Sequence, residues 1–216
     1  MLSSAYQQAS LDDRDYGKID PANDLLWRFN RQRLDAEAIR DAMLFVSGQL
    51  DFTPGEAHPF RSEYSWDFTQ HSPFTAIYET NKRSVYLMQQ RIKKHPYFAT
   101  FDAADPNSST SERSISTTPL QALFMMNDTF VHEQAAHFAA RLLSQCRSEV
   151  GRIQIAYALA FGRSARPEEL REGLAYLQHH SEKLSARVHS PQERKELAWA
   201  SFARALLASD EFLYID

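Results

Sequence analysis

The first part of the chain carries apolar residues at helical spacing. They recur at i, i+4, i+5, i+8, i+9 and i+12, and they are Leu34, Ala38, Ile39, Ala42, Met43 and Val46. Because these positions lie on one face of an α-helix, the pattern predicts an amphipathic helix. Asp35 is the candidate N-cap and Gly48 the candidate C-terminal stop. We therefore expect the region from residue 1 to residue 51 to be helical.

The helical period returns at residue 118 and continues to the end of the chain. It predicts helices over residues 119–126, 129–146 and 150–162, followed by two that begin at Pro167 and Pro191. The helix over 150–162 is apolar nearly all round, which predicts a buried central helix that ends at Gly162. The last helix should point four side chains inward: Trp199, Phe202, Leu206 and Leu207. Short connections between these helices favour a bundle-like arrangement over residues 118–216.

Between these regions, residues 52–117 show no helical period. Eleven of the 26 aromatic residues lie between positions 52 and 101, together with prolines at positions 54, 59, 73 and 96. Only residues 84–89 have the composition of a strand, so we expect long irregular loops with at most a short β-pair. The aromatic residues could form a satellite core that holds the loops, or they could contact a sugar or a peptide. The predicted fold is mainly α, and the whole chain, 1–216, is expected to form a single domain.

Composition excludes several classes of function. A net charge of -4 gives no overall attraction to nucleic acid or to an anionic membrane, although Lys82, Arg83 and Arg91 begin a local basic cluster. No apolar run approaches the roughly 18 residues of a membrane span, and the first residues have no signal-peptide pattern. A single cysteine, Cys146, excludes an internal disulfide, a c-type haem attachment and thiolate metal sites. We interpret Cys146 as a core residue and expect no cofactor in this chain.

Other motifs in the sequence give little support for a metal, nucleotide or nucleophile site. His132, Glu133 and His137 have the spacing H-E-x-x-x-H, which puts the two imidazoles roughly 140° apart on a helix. They should therefore not share a metal ion. Asp102, Asp105 and Asn107 offer oxygen ligands, but turns before a proline explain them without an ion. The glycines form no dinucleotide, P-loop or nucleophile-elbow motif.

The strongest candidate site surrounds the helix that starts at Pro119. Thr118 and Gln121 fit a capping box, with Pro119 in the first turn. If Arg83 and Arg113 come together with Thr117, Thr118 and Gln121, two guanidinium groups and several hydroxyls would surround the positive end of this helix. That arrangement suits a carboxylate or a sulfate. The alternative is that the arginines pair with structural acids such as Asp102 or Asp105 and lock the loops.

Seven blocks of the sequence, in order along nearly the whole chain, resemble one family. They are residues 3–10 (SSAYQQAS), 20–51 (DPANDLLWRFN and onward), 82–87 (KRSVYL), 101–107 (FDAADPN), 116–127 (STTPLQALFMMN), 152–163 (RIQIAYALAFGR) and 202–216 (FARALLASDEFLYID). The family is the planctomycete cytochrome-associated domain called domain of unknown function fifteen-fifty-three. One departure is Lys82, where a second arginine is expected, so a bidentate donor is replaced by a point charge.

The resemblance implies a setting more than a mechanism. Such domains usually form the C-terminal part of longer exported bacterial proteins, behind a second domain of unknown function and often a cytochrome c module. It therefore implies an extracytoplasmic location, upstream domains of the same parent protein as partners, and any haem in a separate module. The chain begins inside the first block, so we expect it to be a C-terminal fragment.

Two functions follow as expectations. The first is a structural or interaction module of such a larger protein. The second is an extracellular domain that binds or processes glycans, including sulfated ones, with an anionic polysaccharide as its partner. Its site would contain Arg83, Arg113 and an acid from Asp102 or Asp105.

Overall fold

The computed structural model describes residues 3–57, 62, 64, 71 and 79–215, and these residues form a mainly α-helical fold. One two-stranded antiparallel sheet joins β1 (Gln32–Arg33) to β2 (Tyr214–Ile215), so it links the start of the fold to its end. The α-helices in the described residues are α1 (Arg14–Ile19), α2 (Ala36–Ser47), α3 (Pro96–Thr100), α4 (Pro119–Asn127), α5 (Thr129–Gln145), α6 (Glu149–Phe161), α7 (Pro167–Leu184), α8 (Pro191–Leu207) and α9 (Asp210–Leu213).

Capping residues set several of the helix ends. Thr118 and Gln121 form the expected capping box of α4, and Ser190 caps α8 through the N–H of Glu193. Gly48 and Gly162 both adopt the left-handed conformation that ends α2 and α6 (φ 80° and 70°). The predicted start of α4 and the predicted helix ends at Gly48 and Gly162 are therefore confirmed. Asp35 does occupy the N-cap position of α2, but its side chain makes no capping hydrogen bond.

The main core lies between α5 and α8, which form the most extensive helix pair, and α2 packs against α5. Helix α5 contributes Phe138 and Leu142, both fully buried. The inward-facing residues predicted for α8 are confirmed, since Trp199, Phe202, Leu206 and Leu207 are all buried. Helix α7 packs on α8, and α6 contacts α5, α7 and α8 at the side of the bundle.

Two expectations about this part of the chain are wrong. Helix α6 is not buried all round, because its buried residues, Arg152, Ile153, Ala156 and Tyr157, lie on one side, while Val150 is exposed. The central place is taken by α5 and α8, so an apolar composition alone did not locate the buried helix. Cys146 lies at the C-cap of α5 and is half-buried, so its predicted place in the core is wrong.

The predicted strand over residues 84–89 is also wrong. Ser84–Tyr86 form one turn of 3₁₀ helix, and in the middle of the chain the described residues contain only an isolated bridge between Asp51 and Lys82. The turn forms because both the backbone N–H and the hydroxyl of Ser84 donate to Asp41 of α2, at 2.7 and 2.6 Å. A local strand preference is overridden by this contact with a residue 43 positions away.

Part of the aromatic middle segment joins the main hydrophobic core and does not form a separate satellite core. Tyr97, Phe98 and Phe101 are buried, and Tyr97 stacks on Phe101 with ring centroids 4.9 Å apart. Phe124 of α4 meets both Tyr97 and Phe101 edge to face. Of the aromatic residues between positions 60 and 78, only Tyr64 lies in the described residues, and it is exposed. No helix within the described residues is both long enough and apolar enough to cross a membrane.

Candidate functional site

The start of α4 is enclosed by its own chain. The Gln121 side-chain oxygen accepts hydrogen bonds from the backbone N–H of Thr118 and from Nη1 of Arg33, both at 3.1 Å. The Gln121 amide nitrogen donates to the carbonyl of Thr100 at 2.9 Å and to Asp102 at 3.2 Å. Gln121 is buried by these contacts. The side chain that we expected to help bind an anion instead joins the helix start to the loop before it.

Asp102 and Arg33 form the centre of this polar network. Their side chains are 16% and 5% exposed, and Oδ2 of Asp102 lies 2.7 Å from Nη2 of Arg33. Ser116 donates its backbone N–H and its hydroxyl to the same carboxylate, at 2.9 and 2.8 Å. Burial alone would raise the pKa of Asp102, but the hydrogen bonds from Ser116 and the ion pair with Arg33 outweigh burial, so the pKa is lowered.

The backbone of Asp102 supports the same conclusion. Its φ of 59° lies in the left-handed region, which an aspartate adopts at some cost in free energy. The network around its carboxylate holds that conformation. Asp102 therefore pairs with an arginine, as one interpretation of the sequence expected, but the partner is Arg33 and not Arg83 or Arg113.

Arg83, Arg113 and Asp105 lie together in a different place, a groove of about 530 Å³ beside α2. Arg113 binds Glu37 through two nitrogens, at 2.6 and 3.1 Å, and this pairing raises the pKa of Arg113. Nε of Arg83 lies 3.7 Å from a carboxylate oxygen of Asp41, and the Arg83 side chain is exposed. The structure thus brings together three of the predicted site residues.

The side chains of Asp105 and Thr117 each contact another residue of the chain. The Asp105 carboxylate accepts from the N–H of Asn107 at 3.0 Å and lies 3.2 Å from Nζ of Lys94, and these contacts lower its pKa. The hydroxyl of Thr117 lies 3.2 Å from the hydroxyl of Tyr214, on β2. Thr117, Gln121 and Asp102 do not line the groove that contains Arg83 and Arg113. The sequence suggested a single site, but the structure puts these residues in two separate places.

The electrostatics of the groove do not favour an anion. Its described lining contains four carboxylates, from Asp35, Glu37, Asp41 and Asp105, but only two guanidinium groups, from Arg83 and Arg113. Both arginines already have a carboxylate partner. A carboxylate or sulfate entering the groove would displace these pairs and meet excess negative charge.

Arg40 is a buried charged residue that was not predicted from the sequence. Its Nη1 donates to the carbonyl of Lys82 and to the hydroxyl of Ser84, at 3.2 and 3.3 Å, and its Nη2 donates to the carbonyl of Thr80. Burial lowers the pKa of Arg40. The burial of Arg40 could have been predicted from helical spacing. Met43 and Leu44, three and four residues later on the same helix, are both fully buried. Helical spacing alone would have placed it on the inner face of α2.

The described residues contain no group of three or more His, Cys, Asp or Glu side chains that could hold a metal ion. His132 instead contacts Arg204, with its Nε2 2.9 Å from Nη1, and the carbonyl of Met126. These contacts connect α5 to α8 and to the end of α4.

Taken together, these contacts define a helical domain whose irregular segments are attached to it by arginine and carboxylate networks. Comparison with models of known protein families matches residues 1–177 to PSD1, described as a protein of unknown function (DUF1553). The match covers most of the chain, so the chain belongs to this family, and the resemblance to domain of unknown function fifteen-fifty-three is confirmed. The link with planctomycetes and cytochromes stays a prediction. The last resembling block, residues 202–216, lies beyond the matched range. No curated protein and no solved structure matches the chain.

Proposed function

We propose that this chain is a structural and interaction module of a larger, exported, cytochrome c-associated protein, and that it binds other domains of the same protein. The observation that carries this proposal is the exposure of large apolar side chains in two parts of the surface. The residues predicted to form a binding or catalytic site add support, because their side chains bond to other side chains or to the backbone of the same chain. An interaction module needs a surface, and does not need a free catalytic group.

The first apolar surface is the outer face of α4. Leu120, Leu123 and Met126 follow one another at intervals of three residues, and each is more than half exposed. On the opposite side of the same helix, Gln121 and Met125 are buried. Scattered exposed apolar residues are ordinary, but a row of three large ones on one helix face is typical of a surface that binds a partner.

The second apolar surface is the N-terminal arm, residues 3–31. Six of its large apolar side chains are exposed: Tyr6, Leu11, Tyr16, Ile19, Leu25 and Leu26. Leu26 also has a φ of 56°, which is strained for a leucine. The turn is held by Asn23, whose side-chain nitrogen donates to the carbonyl of Arg28 at 2.8 Å, and by Asp20, which accepts from the N–H of Leu25 at 2.8 Å.

The arm lies at the end of the chain to which upstream domains would be joined, so these domains are the partner we propose. On the basis of the family resemblance we also propose an extracytoplasmic location and a separate module of the parent protein for any haem. Both statements belong to the proposal.

The proposal can be tested on the purified chain with a hydrophobic dye and analytical ultracentrifugation. We expect the chain to bind the dye or to self-associate. The triple variant Leu120→Ser, Leu123→Ser, Met126→Ser and the double variant Leu25→Ser, Leu26→Ser should each reduce dye fluorescence. Val150→Ser, on the exposed side of α6, is the matched control and should leave it unchanged. A monomeric wild-type chain that binds no dye would contradict the proposal.

The alternative function, binding or processing of an anionic polysaccharide, is supported only by the presence of Arg83, Arg113 and Asp105 in one open groove. The charge of that groove argues against it. The test is binding to immobilised heparin and dextran sulfate, with Arg113→Ala compared with Arg171→Ala, an exposed arginine on α7. Retention that only Arg113→Ala abolishes would favour this function over the interaction module.

A further inference from the structure

A second groove, of about 530 Å³, lies between α5 and α8, and we call it the α5–α8 groove. Its central residues recur at i, i+4 and i+7 on both helices. They are Ala136, Ala140 and Leu143 on α5, and Glu193, Leu197 and Ala200 on α8. This spacing puts the three positions of each helix on one face. The groove is therefore formed by two helix faces that are open to the same side.

The apolar part of this lining is accessible to solvent. Ala136 and Ala140 are exposed, Leu197 is 41% exposed, and Leu143 and Ala200 are half-buried. Within the part of the chain that the structure describes, only α5 and α8 line the groove. A molecule that entered it could contact these side chains without moving any other element.

The shape of the groove fits a third helix. Its centre is made of small side chains, from Ala136, Ala140 and Ala200, and the larger Leu143 and Leu197 lie beside them. Packed helices lie about 8 to 10 Å apart, and small residues at a contact let large side chains of the neighbouring helix fit between them. Seven residues of helix rise about 10 Å, so each lining face matches about two turns of a partner helix.

Charge indicates what should flank the apolar stripe of that helix. The described lining contains two carboxylates, from Glu193 and Glu196, and no cationic side chain. Glu196 is exposed, and its carboxylate accepts a hydrogen bond from the side-chain nitrogen of Gln192 at 2.6 Å. Lysine or arginine beside the apolar stripe of a partner would be attracted to these acids, whereas acidic residues would be repelled.

A second copy of this chain is a poorer match for the groove. Its row of exposed apolar residues on α4, Leu120, Leu123 and Met126, could enter the apolar part. Helix α4 contains no charged residue, however, so it would leave Glu193 and Glu196 without partners. The charge of the groove therefore favours a helix that carries cations.

We propose that the α5–α8 groove binds an amphipathic helix of another domain or protein, with large apolar side chains in the groove and lysine or arginine beside Glu193 and Glu196. This interaction uses neither the N-terminal arm nor the exposed face of α4. The serine variants of those two surfaces should therefore bind such a helix as the wild type does, and either proposal can fail without the other.

Fluorescence anisotropy of labelled peptides tests this on the whole chain. The probe is the peptide LKKLLKLLKKLLKL, which as a helix has leucines on one face and lysines on the other. The comparison peptide is LEELLELLEELLEL, which has the same apolar face and the opposite charge. We expect saturable binding of the lysine peptide, and binding of the glutamate peptide that is about tenfold weaker or less. Added salt should weaken binding of the lysine peptide.

Variants locate the binding site. Ala140→Trp should fill the groove and weaken binding of the lysine peptide about tenfold or more. Ala175→Trp, at an exposed alanine of α7, is its control and should not. Glu196→Lys should weaken the lysine peptide about fivefold and strengthen the glutamate peptide. Its matched control is Glu182→Lys, because Glu182 of α7 also accepts a hydrogen bond from a glutamine four residues earlier, Gln178.

Three results would overturn the proposal. The first is no saturable binding of the lysine peptide, including the case in which the chain self-associates through the groove instead. The second is equal affinity for the two peptides. The third is binding that Ala140→Trp leaves unchanged. Because a tryptophan could disturb the helix pair, Leu197→Ala provides a second variant that adds no bulk and should weaken binding about threefold. Thermal unfolding checks that each variant keeps the fold.

Discussion

The two halves of this protein are stabilised by different kinds of interior. Between α5 and α8 the buried side chains are mainly apolar, with Phe138, Leu142, Trp199 and Leu207 nearly or fully inaccessible to solvent. Around α2 and the irregular segments, the buried side chains include Arg33, Arg40, Ser47, Ser84 and Gln121. The apolar core thus extends through both halves, and the half around α2 and the irregular segments adds buried polar networks to it.

Backbone hydrogen bonding explains the difference. A helix satisfies most of its own N–H and C=O groups, so its packed face can be wholly apolar. An irregular segment leaves carbonyl groups unpaired, and these need donors when they are buried. An arginine supplies five N–H donors from one side chain. Arg40 donates to the carbonyls of Thr80 and Lys82, and Arg33 donates to those of Phe101 and Ser116. The arginines thus replace the backbone pairing that the irregular segments lack.

The largest effect should come from the apolar half. Phe138→Ala removes a fully buried aromatic ring from α5, and we expect it to lower the free energy of unfolding by about 4 kcal/mol. Urea denaturation followed by circular dichroism measures this change. Leu197→Ala, a partly exposed leucine on α8, is the control and should change stability by less than about 1 kcal/mol. Equal effects of the two variants would contradict the assignment of the core.

In the polar half, Arg33→Met should lower the free energy of unfolding by about 3 kcal/mol, because it leaves the Asp102 carboxylate partly buried without its ion-pair partner. Denaturation of the single variant and of Arg33→Met combined with Asp102→Asn would measure the coupling. The double variant should be more stable than the sum of the two single changes predicts. Simple additivity would show that the network does not act as a unit.

A smaller effect is expected where charge joins the helices of the C-terminal half. Arg163 pairs with Glu169, at 2.7 and 2.8 Å, and with Glu211. The hydrogen bonds from Arg163 are the main reason that the pKa of Glu169 falls from its ordinary value of 4.5 to about 2. Because the folded-state pKa is lowered, the stabilisation is present above pH 4.5 and is lost as the pH falls toward 2.

Glu169→Gln should therefore cost about 1 to 2 kcal/mol at pH 7 and flatten the loss of stability with acid. Thermal unfolding measured from pH 7 down to pH 2.5 tests this. Glu168→Gln, an exposed acid one residue earlier, is the control and should follow the wild-type curve. An acid profile that is the same for Glu169→Gln and the wild type would contradict the assignment.

The smallest expected effects are at two helix caps, one in each half. Ser190→Ala and Thr118→Ala should each lower the free energy of unfolding by about 1 kcal/mol, because each removes one side-chain bond to an N3 backbone N–H. Chemical denaturation can resolve the two values. If Thr118→Ala costs several times more than Ser190→Ala, the cap of α4 is energetically coupled to the Arg33 network.

The sequence alone was sufficient for the elements that depend on neighbouring residues. The bounds predicted for α4 and α5 agree with the structure to within one residue, and Gly162 and Pro191 mark a helix end and a helix start as expected. Capping chemistry and helical period act over three or four positions, so they can be read directly from the chain. The mainly α fold and the family follow from such local signals taken in order.

Only the tertiary structure decided what depends on distant residues. The turn at Ser84 replaces a strand because Asp41 binds it, α6 lies at the side because α5 and α8 fill the centre, and Asp102 pairs with Arg33, 69 positions away. Each of these outcomes is a choice among partners of similar chemistry. The packing of the helices determines which residues come within hydrogen-bond distance of each other. That distance cannot be predicted from the local sequence.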